Sequence, residues 1–360
     1  MGGAELGVFA ADVHNAAMKP LRFAIFGAGF WARVQLAAWR EVGGAECVAI
    51  YNRSRGKAEA FAHDLGVPDV YDDPETLLRR VKPDFVDNIT EIGGHRPLSL
   101  LCARHRIPCI CQKPMAPTLA DARAMVQAFE KARTPFYVHE NWRWQAPMRA
   151  LIDNLRTGTI GVPFRARLTM ISGFDVWANQ PALRDLERFI LTDLGTHLLD
   201  SARACFGEAR SLYCQLHRTL PDVRGDNVAT LLLSMGESRT SVAVDLGYAK
   251  TPLEREVFPQ TLAFVEGPLG SIELAPDYWL RVTTAKGTLC TRHAPARHAW
   301  ADPRYDVAMS SMVPCIRNLL GALQGRQDAE TTGADNLKTL ELVFAAYASA
   351  AKDTVVRPGK

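Results

Sequence analysis

No apolar run in this sequence is long enough to span a bilayer. A surplus of one charge sign is also missing: 42 Lys and Arg stand against 39 Asp and Glu, a net charge of +3. The basic residues are scattered, as at Arg53 and Arg55, Arg79 and Arg80, and Arg104 and Arg106. This pattern points away from nucleic-acid and membrane partners. The 8 cysteines have no regular spacing, which argues against a disulfide framework and fits reduced thiols in the cytoplasm. Cys109 and Cys111 would point the same way on a strand, but no histidine or carboxylate is grouped with them. They read as buried small hydrophobes, and no metal site is expected. Residues 1–19 lack a basic start, an apolar core and a cleavage site, so they do not read as a secretory signal. The expectation for residues 1–18 is a disordered leader or an early start codon ahead of Met18. There is no internal repeat and no low-complexity segment.

What is present is ordinary for a globular protein. The chain has 360 residues, 48% apolar and 22% charged, enough for two domains. Its organising stretch is FAIFGAGFWA, from Phe23 to Ala32. The apolar run 21–26 reads as a buried strand, Gly27-Ala28-Gly29 as a turn, and 30–39 as a helix. Strand, glycine turn and helix is the context in which G-x-G marks a dinucleotide site. Gly27 permits the tight turn, Gly29 lets a pyrophosphate approach the backbone, and the helix start offers free N–H groups. A tight turn without a ligand is the competing reading.

Strands expected at 47–52, 85–89, 107–111 and 136–139 alternate with helices at 56–65, from Asp73-Pro74, at 97–105, and from Thr118 to Lys131. Repeated β-α units imply a parallel, doubly wound sheet. After a boundary near residues 142–145 the style changes. A helix at 148–156, a strand at 163–171 and a helix within 186–206 precede strand-like runs at 228–234, 240–247, 262–266, 271–274 and 280–284. These imply an antiparallel-sheet domain. Helices at 305–323 and 334–352 close the chain.

Candidate chemistry clusters where strands end, because such sheets take ligands at their carboxyl edge. Asn52 ends the second strand, where NAD sites place a carboxylate for the ribose. Asparagine can still bond a ribose and does not repel a 2′-phosphate, which Arg53, Ser54 and Arg55 could bind. The cofactor is therefore NAD or NADP. Thr90 and Glu91 follow the strand at 85–89, and Gln112-Lys113-Pro114 the strand at 107–111. The Lys113 ammonium could stabilise an alkoxide developing as hydride leaves. Asp193 and His197 sit at i and i+4, so on a helix they share a face. His197 could take a hydroxyl proton, with Asp193 orienting it or contacting substrate. Arg143 could hold substrate oxygens or join the domains. Trp144, Trp177 and Trp300 could stack on a sugar or fill core.

Taken together, GAGFWA at Gly27–Ala32, NIT at Asn88–Thr90, CQKP at Cys111–Pro114, HENWRW at His139–Trp144 and DLGTHLLD at Asp193–Asp200 carry a resemblance. The chain after Met18 resembles the family of glucose–fructose oxidoreductase, inositol dehydrogenase and the rhizopine-catabolism dehydrogenases. The resemblance implies a Rossmann domain at 19–142 and a substrate and oligomerisation domain at 143–333 built on an open, mainly antiparallel sheet. A final helix at about 334–354 would pack back on the first domain. Lys113, Asp193 and His197 are implied as the catalytic group. Cofactor contacts are expected at Gly27, Gly29, Phe30, Trp31, Asn52 and Arg53, and further along at Thr90, Glu91, His95, Gln112, Lys113 and Asn141. Substrate contacts are expected at Lys113, Arg143, Asp193, His197 and Trp177.

Gln112 and Asn52 stand where the family usually has acids. The stretch 174–189 is a long insertion resembling a lid, and with GFWARVQLAAW it is similar to the D-apiose dehydrogenase branch, which forms a lactone. The implied function is oxidation of a sugar hydroxyl by hydride transfer to nicotinamide. Inositol or polyol oxidation, an NAD-dependent glycosidase and a cofactor-sensing regulator are the alternatives. A homodimer or homotetramer is expected.

Overall fold

The structure is a computed structural model that describes residues 19–249 and 260–359. The expected leader, residues 1–18, lies outside the described residues. The first half is built from β1 (Leu21–Phe26), α1 (Phe30–Val42), β2 (Ala45–Tyr51), α2 (Arg55–Leu65), β3 (Asp69–Tyr71) and α3 (Pro74–Val81). It continues through β4 (Phe85–Asn88), α4 (Ile92–Arg104), β5 (Cys109–Gln112), α5 (Leu119–Ala132) and β6 (Phe136–His139). All six strands run parallel in the order β3-β2-β1-β4-β5-β6. The order reverses between β1 and β4, so the ligand crevice opens at their carboxyl ends.

Local signals placed most helix ends. Gly66 takes the left-handed conformation that closes α2. Asp73 accepts from the Thr76 N–H at the start of α3, and Thr118 from the Asp121 N–H at the start of α5. One start differs: α4 begins at Ile92 and carries Pro97 inside it. Proline gives up its own N–H bond and crowds the carbonyl four residues back, which here falls in the first turn of the helix, at Gly93.

The second half holds α6 (Ala146–Arg156), β7 (Arg165–Ser172), α7 (Thr196–Phe206), β8 (Ala209–His217), β9 (Val228–Met235) and β10 (Thr240–Tyr248). Then come β11 (Leu262–Gly267), β12 (Gly270–Ala275), β13 (Trp279–Thr284) and β14 (Gly287–Arg292). Eight strands form an open sheet in the order β14-β13-β12-β11-β7-β10-β9-β8, antiparallel except where β10 meets β7. Its inner face, with Leu168, Leu231, Val244 and Val265, packs on α6 and α7. Its outer face leaves Leu232, Phe264 and Trp279 exposed.

The chain closes with α8 (Asp306–Ser310), α9 (Met312–Leu323) and α10 (Gly333–Lys352). Here the division at 143–333 needs correction. Ile316, Leu319 and Leu320 of α9 join the core of the first sheet beside Leu36 and Trp39 of α1. The apolar stripe of α9 has its buried partner there, not on the second sheet. Helix α10 serves both halves, packing on α5 and also on β8 and α7. Among the described residues, no helix is long and apolar enough to cross a membrane.

The first core takes in the Asp87 carboxyl. Asp87 of β4 is fully buried and accepts from Gln35 Nε2 at 2.9 and 2.8 Å and from Trp39 Nε1 at 2.7 Å. Burial pushes its carboxyl up to about 7, against the pull of Trp39 and Gln35. A carboxyl raised in the folded state contributes stability that is full below its ordinary value of about 4 and is lost as pH rises through about 7. Trp39→Phe strips one donor from the ionised form. It should cost about 2–3 kcal/mol in urea unfolding, with a larger deficit at pH 8 than at pH 5. An equal deficit at both would remove Asp87 from the account.

Candidate active site

The glycine turn stands at the switch point. Gly27 has φ +108°, and a Cβ there would lie 2.7 Å from the Ile89 carbonyl oxygen, so only glycine fits beside β4. Gly29 is the opposite case: nothing lies within 4 Å of where its Cβ would be. No side chain caps the start of α1. An open backbone ahead of an uncapped helix N-terminus fits a pyrophosphate. Phe30 is exposed there, with Trp31 edge-on to it at 5.0 Å. Ala32, in the third fingerprint position, is fully buried.

At the end of β2, Asn52 Nδ2 donates to the Ser54 carbonyl. Arg53 is exposed beside it, while Arg55 is occupied by Glu59 at 2.8 Å and Asp72 at 3.7 Å. At the end of β4, Thr90 Oγ1 donates to Asn88 Oδ1, and Glu91 is exposed.

Three expected cofactor contacts have their polar groups engaged within the protein. His95 is buried, with its ring nitrogens 3.0 and 2.9 Å from the carbonyl oxygens of Pro114 and Thr90. It ties loop to loop. Asn141 spends its amide on the Ala308 carbonyl and Ser311 Oγ. Gln112 turns inward: its Oε1 accepts from the Lys113 N–H and its Nε2 donates to Gln35 Oε1 at 2.8 Å. That position thus links Lys113 to the Asp87 network.

The chemistry assembles where β5 and β6 end. Lys113 Nζ donates to Asp193 Oδ1 at 2.9 Å and to the Asp193 carbonyl at 3.1 Å. The Lys113–Pro114 peptide is cis. Tyr248 Oη donates to Asp193 Oδ2 at 3.2 Å. Burial would raise the Asp193 carboxyl, but the Lys113 charge outweighs it and holds the group below the usual range. Burial and the neighbouring Asp193 hold the Tyr248 phenol well above its ordinary value.

Asp193 does not orient His197. Leu191–Gly195 is a π-helical stretch leading into α7, and such widened turns recur at functional sites. Both Asp193 oxygens are engaged elsewhere. His197 instead places Nδ1 2.6 Å from Oε1 of Glu140, just after β6, and its ring stacks on Trp142 at 4.3 Å. Glu140 and Tyr248 were missed. Glu140 lies in HENWRW, at the same sheet edge that singles out Lys113, so that edge was the available signal.

Two expected substrate residues are held by contacts within the protein. Arg143 is buried and bonded through Nε and Nη2 to both oxygens of Asp200, at 2.7 and 2.6 Å. Its remaining N–H groups reach Asp335 and the Glu330 carbonyl. It joins the domain junction, α7 and α10. Trp177 is buried against Phe189 and Tyr248, with the Arg184 guanidinium over its ring. Trp144 lies under Arg149 and Trp300 stacks on His298. The insertion meets the glycine turn through aromatics: Phe174 packs edge-on to Tyr305, which lies 6.3 Å from Phe30.

Residues 21–140 match the model of an oxidoreductase family with an NAD-binding Rossmann fold, and residues 148–258 match the GFO/IDH/MocA C-terminal domain. A D-apiose dehydrogenase of Paraburkholderia graminis is 42% identical, over 94% of this chain and 90% of its own. Another from Rhizobium rhizogenes is 40% identical, over 95% and 99%. The solved structure of an oxidoreductase from Agrobacterium radiobacter, in complex with NAD+, L-tartaric acid and magnesium, superposes with a TM-score of 0.91. It is 39% identical and covers 94% of this chain and 98% of its own.

Arg143→Met leaves Asp200 buried without its bidentate partner. It should cost about 3–5 kcal/mol in urea unfolding while leaving the NAD affinity of the folded protein unchanged. Intact stability would reopen the substrate role.

Proposed function

This chain belongs to the GFO/IDH/MocA family of NAD-binding oxidoreductases, and on that premise we propose that it oxidises D-apiose at the anomeric hydroxyl to the lactone. Sugar oxidation with NAD is the activity of the class. The D-apiose dehydrogenase relatives support the choice of sugar. The observation that carries the reading is the Lys113–Asp193 pair, 2.9 Å long and largely shielded from water at the sheet edge.

Asp193 holds Lys113 so that its ammonium, still partly open to solvent, meets the reacting hydroxyl. An ammonium fixed in a low-dielectric crevice stabilises the oxygen as its proton leaves, and needs no reorganisation to do so. His197 takes that proton at Nε2. Gly27, Gly29 and the start of α1 hold the pyrophosphate, with Asn52 and Arg53 at the ribose and Thr90 and Glu91 along the crevice. NAD, when bound there, supplies the acceptor for the hydride that leaves carbon. Arg55, engaged by Glu59 and Asp72, is a poor partner for a 2′-phosphate, which favours NAD over NADP. Phe174 and Tyr305 close the insertion over the crevice and select the sugar. The exposed Leu232, Phe264 and Trp279 on the outer sheet face support pairing of copies through that face.

The test is nicotinamide reduction with NAD and NADP against apiose, other aldopentoses, aldohexoses and inositols. Apiose with NAD should give the highest kcat/KM. Lys113→Ala should lower kcat about 100- to 1,000-fold while NAD affinity is kept. A variant that oxidised apiose at the normal rate would overturn the assignment.

A further inference from the structure

Glu140 has no role in the reaction as drawn so far, yet it is a fully buried carboxylate in contact with the base. We infer that Glu140 is the positioning residue of that base: it fixes His197 with Nδ1 protonated and Nε2 turned to the substrate. This rests on the reading of His197 as the proton acceptor.

The geometry leaves the imidazole little choice. Glu140 Oε1 lies 2.6 Å from His197 Nδ1 and also accepts the Trp142 N–H at 3.0 Å, so the acceptor is itself anchored. The Trp142 ring stacks on the imidazole at 22°, which fixes the ring plane. A carboxylate that accepts Nδ1–H leaves the lone pair on Nε2. Among the described residues, Nε2 has no hydrogen-bond partner, and it is not sealed from solvent. Asp193, the alternative orienter, is held by Lys113 and Tyr248.

The charge has a second consequence. Burial would raise the Glu140 carboxyl, but the His197 ring, through its hydrogen bond and through its charge once protonated, together with the Trp142 N–H and the Lys113 charge, outweighs it and holds the group below its usual range. When Nε2 takes the substrate proton, the imidazolium forms beside a fixed negative charge. Glu140 itself gains no proton; the logic is that of any base held by a third group. The other titratable and charged groups around this pair are Lys113 after β5, His139 on β6, Arg143 beside it, Asp193 and Asp200 flanking His197, and Cys315 on α9. All are retained in a Glu140 variant, so a shift between the two proteins reports Glu140.

The experiment compares wild type, Glu140→Gln, Glu140→Asp and His197→Asn in NAD-dependent apiose oxidation across pH. Glutamine can donate to Nδ1 and so favours the wrong tautomer. Glu140→Gln should lower kcat by about 1,000-fold with NAD affinity kept. The acid limb of kcat/KM should move to lower pH by about one unit, because the imidazolium loses its counter-charge. Glu140→Asp keeps the charge and should keep the limb near wild type. If Glu140→Gln retains both rate and limb while His197→Asn is inactive, the inference is wrong and the reading of His197 stands. If His197→Asn is fully active, the reading of the site itself fails. Should Glu140→Gln not fold, 15N spectra of the wild-type histidines decide. The signal missing in His197→Asn must show a protonated Nδ1 and a bare Nε2 at neutral pH, and the opposite tautomer refutes the inference.

Discussion

One ion pair and one carboxylate–imidazole hydrogen bond join the edge of the parallel sheet to the segment that leads into α7. Lys113 after β5 meets Asp193, and Glu140 after β6 meets His197. Strands β5 and β6 are neighbours, so their ends present the lysine and the glutamate side by side. Asp193 and His197, four residues apart, answer them from the other side. The site therefore exists only where the two halves of the molecule meet. Neither pair could form within one half alone.

Such pairs need a rigid frame, because burying a charge is costly unless its partner stays in place. The frame has two parts. Behind Lys113, Gln112 ties the strand end to Gln35 and on to Asp87. Behind His197, Arg143 grips Asp200 of α7 and Asp335 of α10, and Arg203 reaches Asp335 from the other side. Helix α10 is thus more than a cover for the first domain. It holds α7, and with it His197, at a set distance from the sheet. Polar residues that look like ligand contacts act here as fasteners.

Much of the fold was legible in the sequence. Apolar runs broken by glycine and proline marked the strands, and Asp73, Thr118 and Gly66 marked helix ends through bonds made with near neighbours. Lys113, Asp193 and His197 were legible as candidates because strand ends and helical spacing are local properties. The departures have a common cause. Helix α9 went to the first core because its apolar stripe found α1, some 280 residues back in the chain. His95, Gln112, Asn141 and Arg143 read as ligand contacts in the sequence because a polar residue in a motif gives no sign of whether it faces the crevice or the interior.

The order of elements, the glycine turn and the inventory of reactive groups follow from local sequence, since each depends on residues a few positions apart. Which groups pair is a matter of the folded chain. The helical spacing of Asp193 and His197 suggests one unit, and the π-turn with its two distant partners makes them two. A charge buried in the interior takes the counter-charge that packing brings to it. Packing is settled by contacts between residues 57 and 80 positions apart, which no local pattern records.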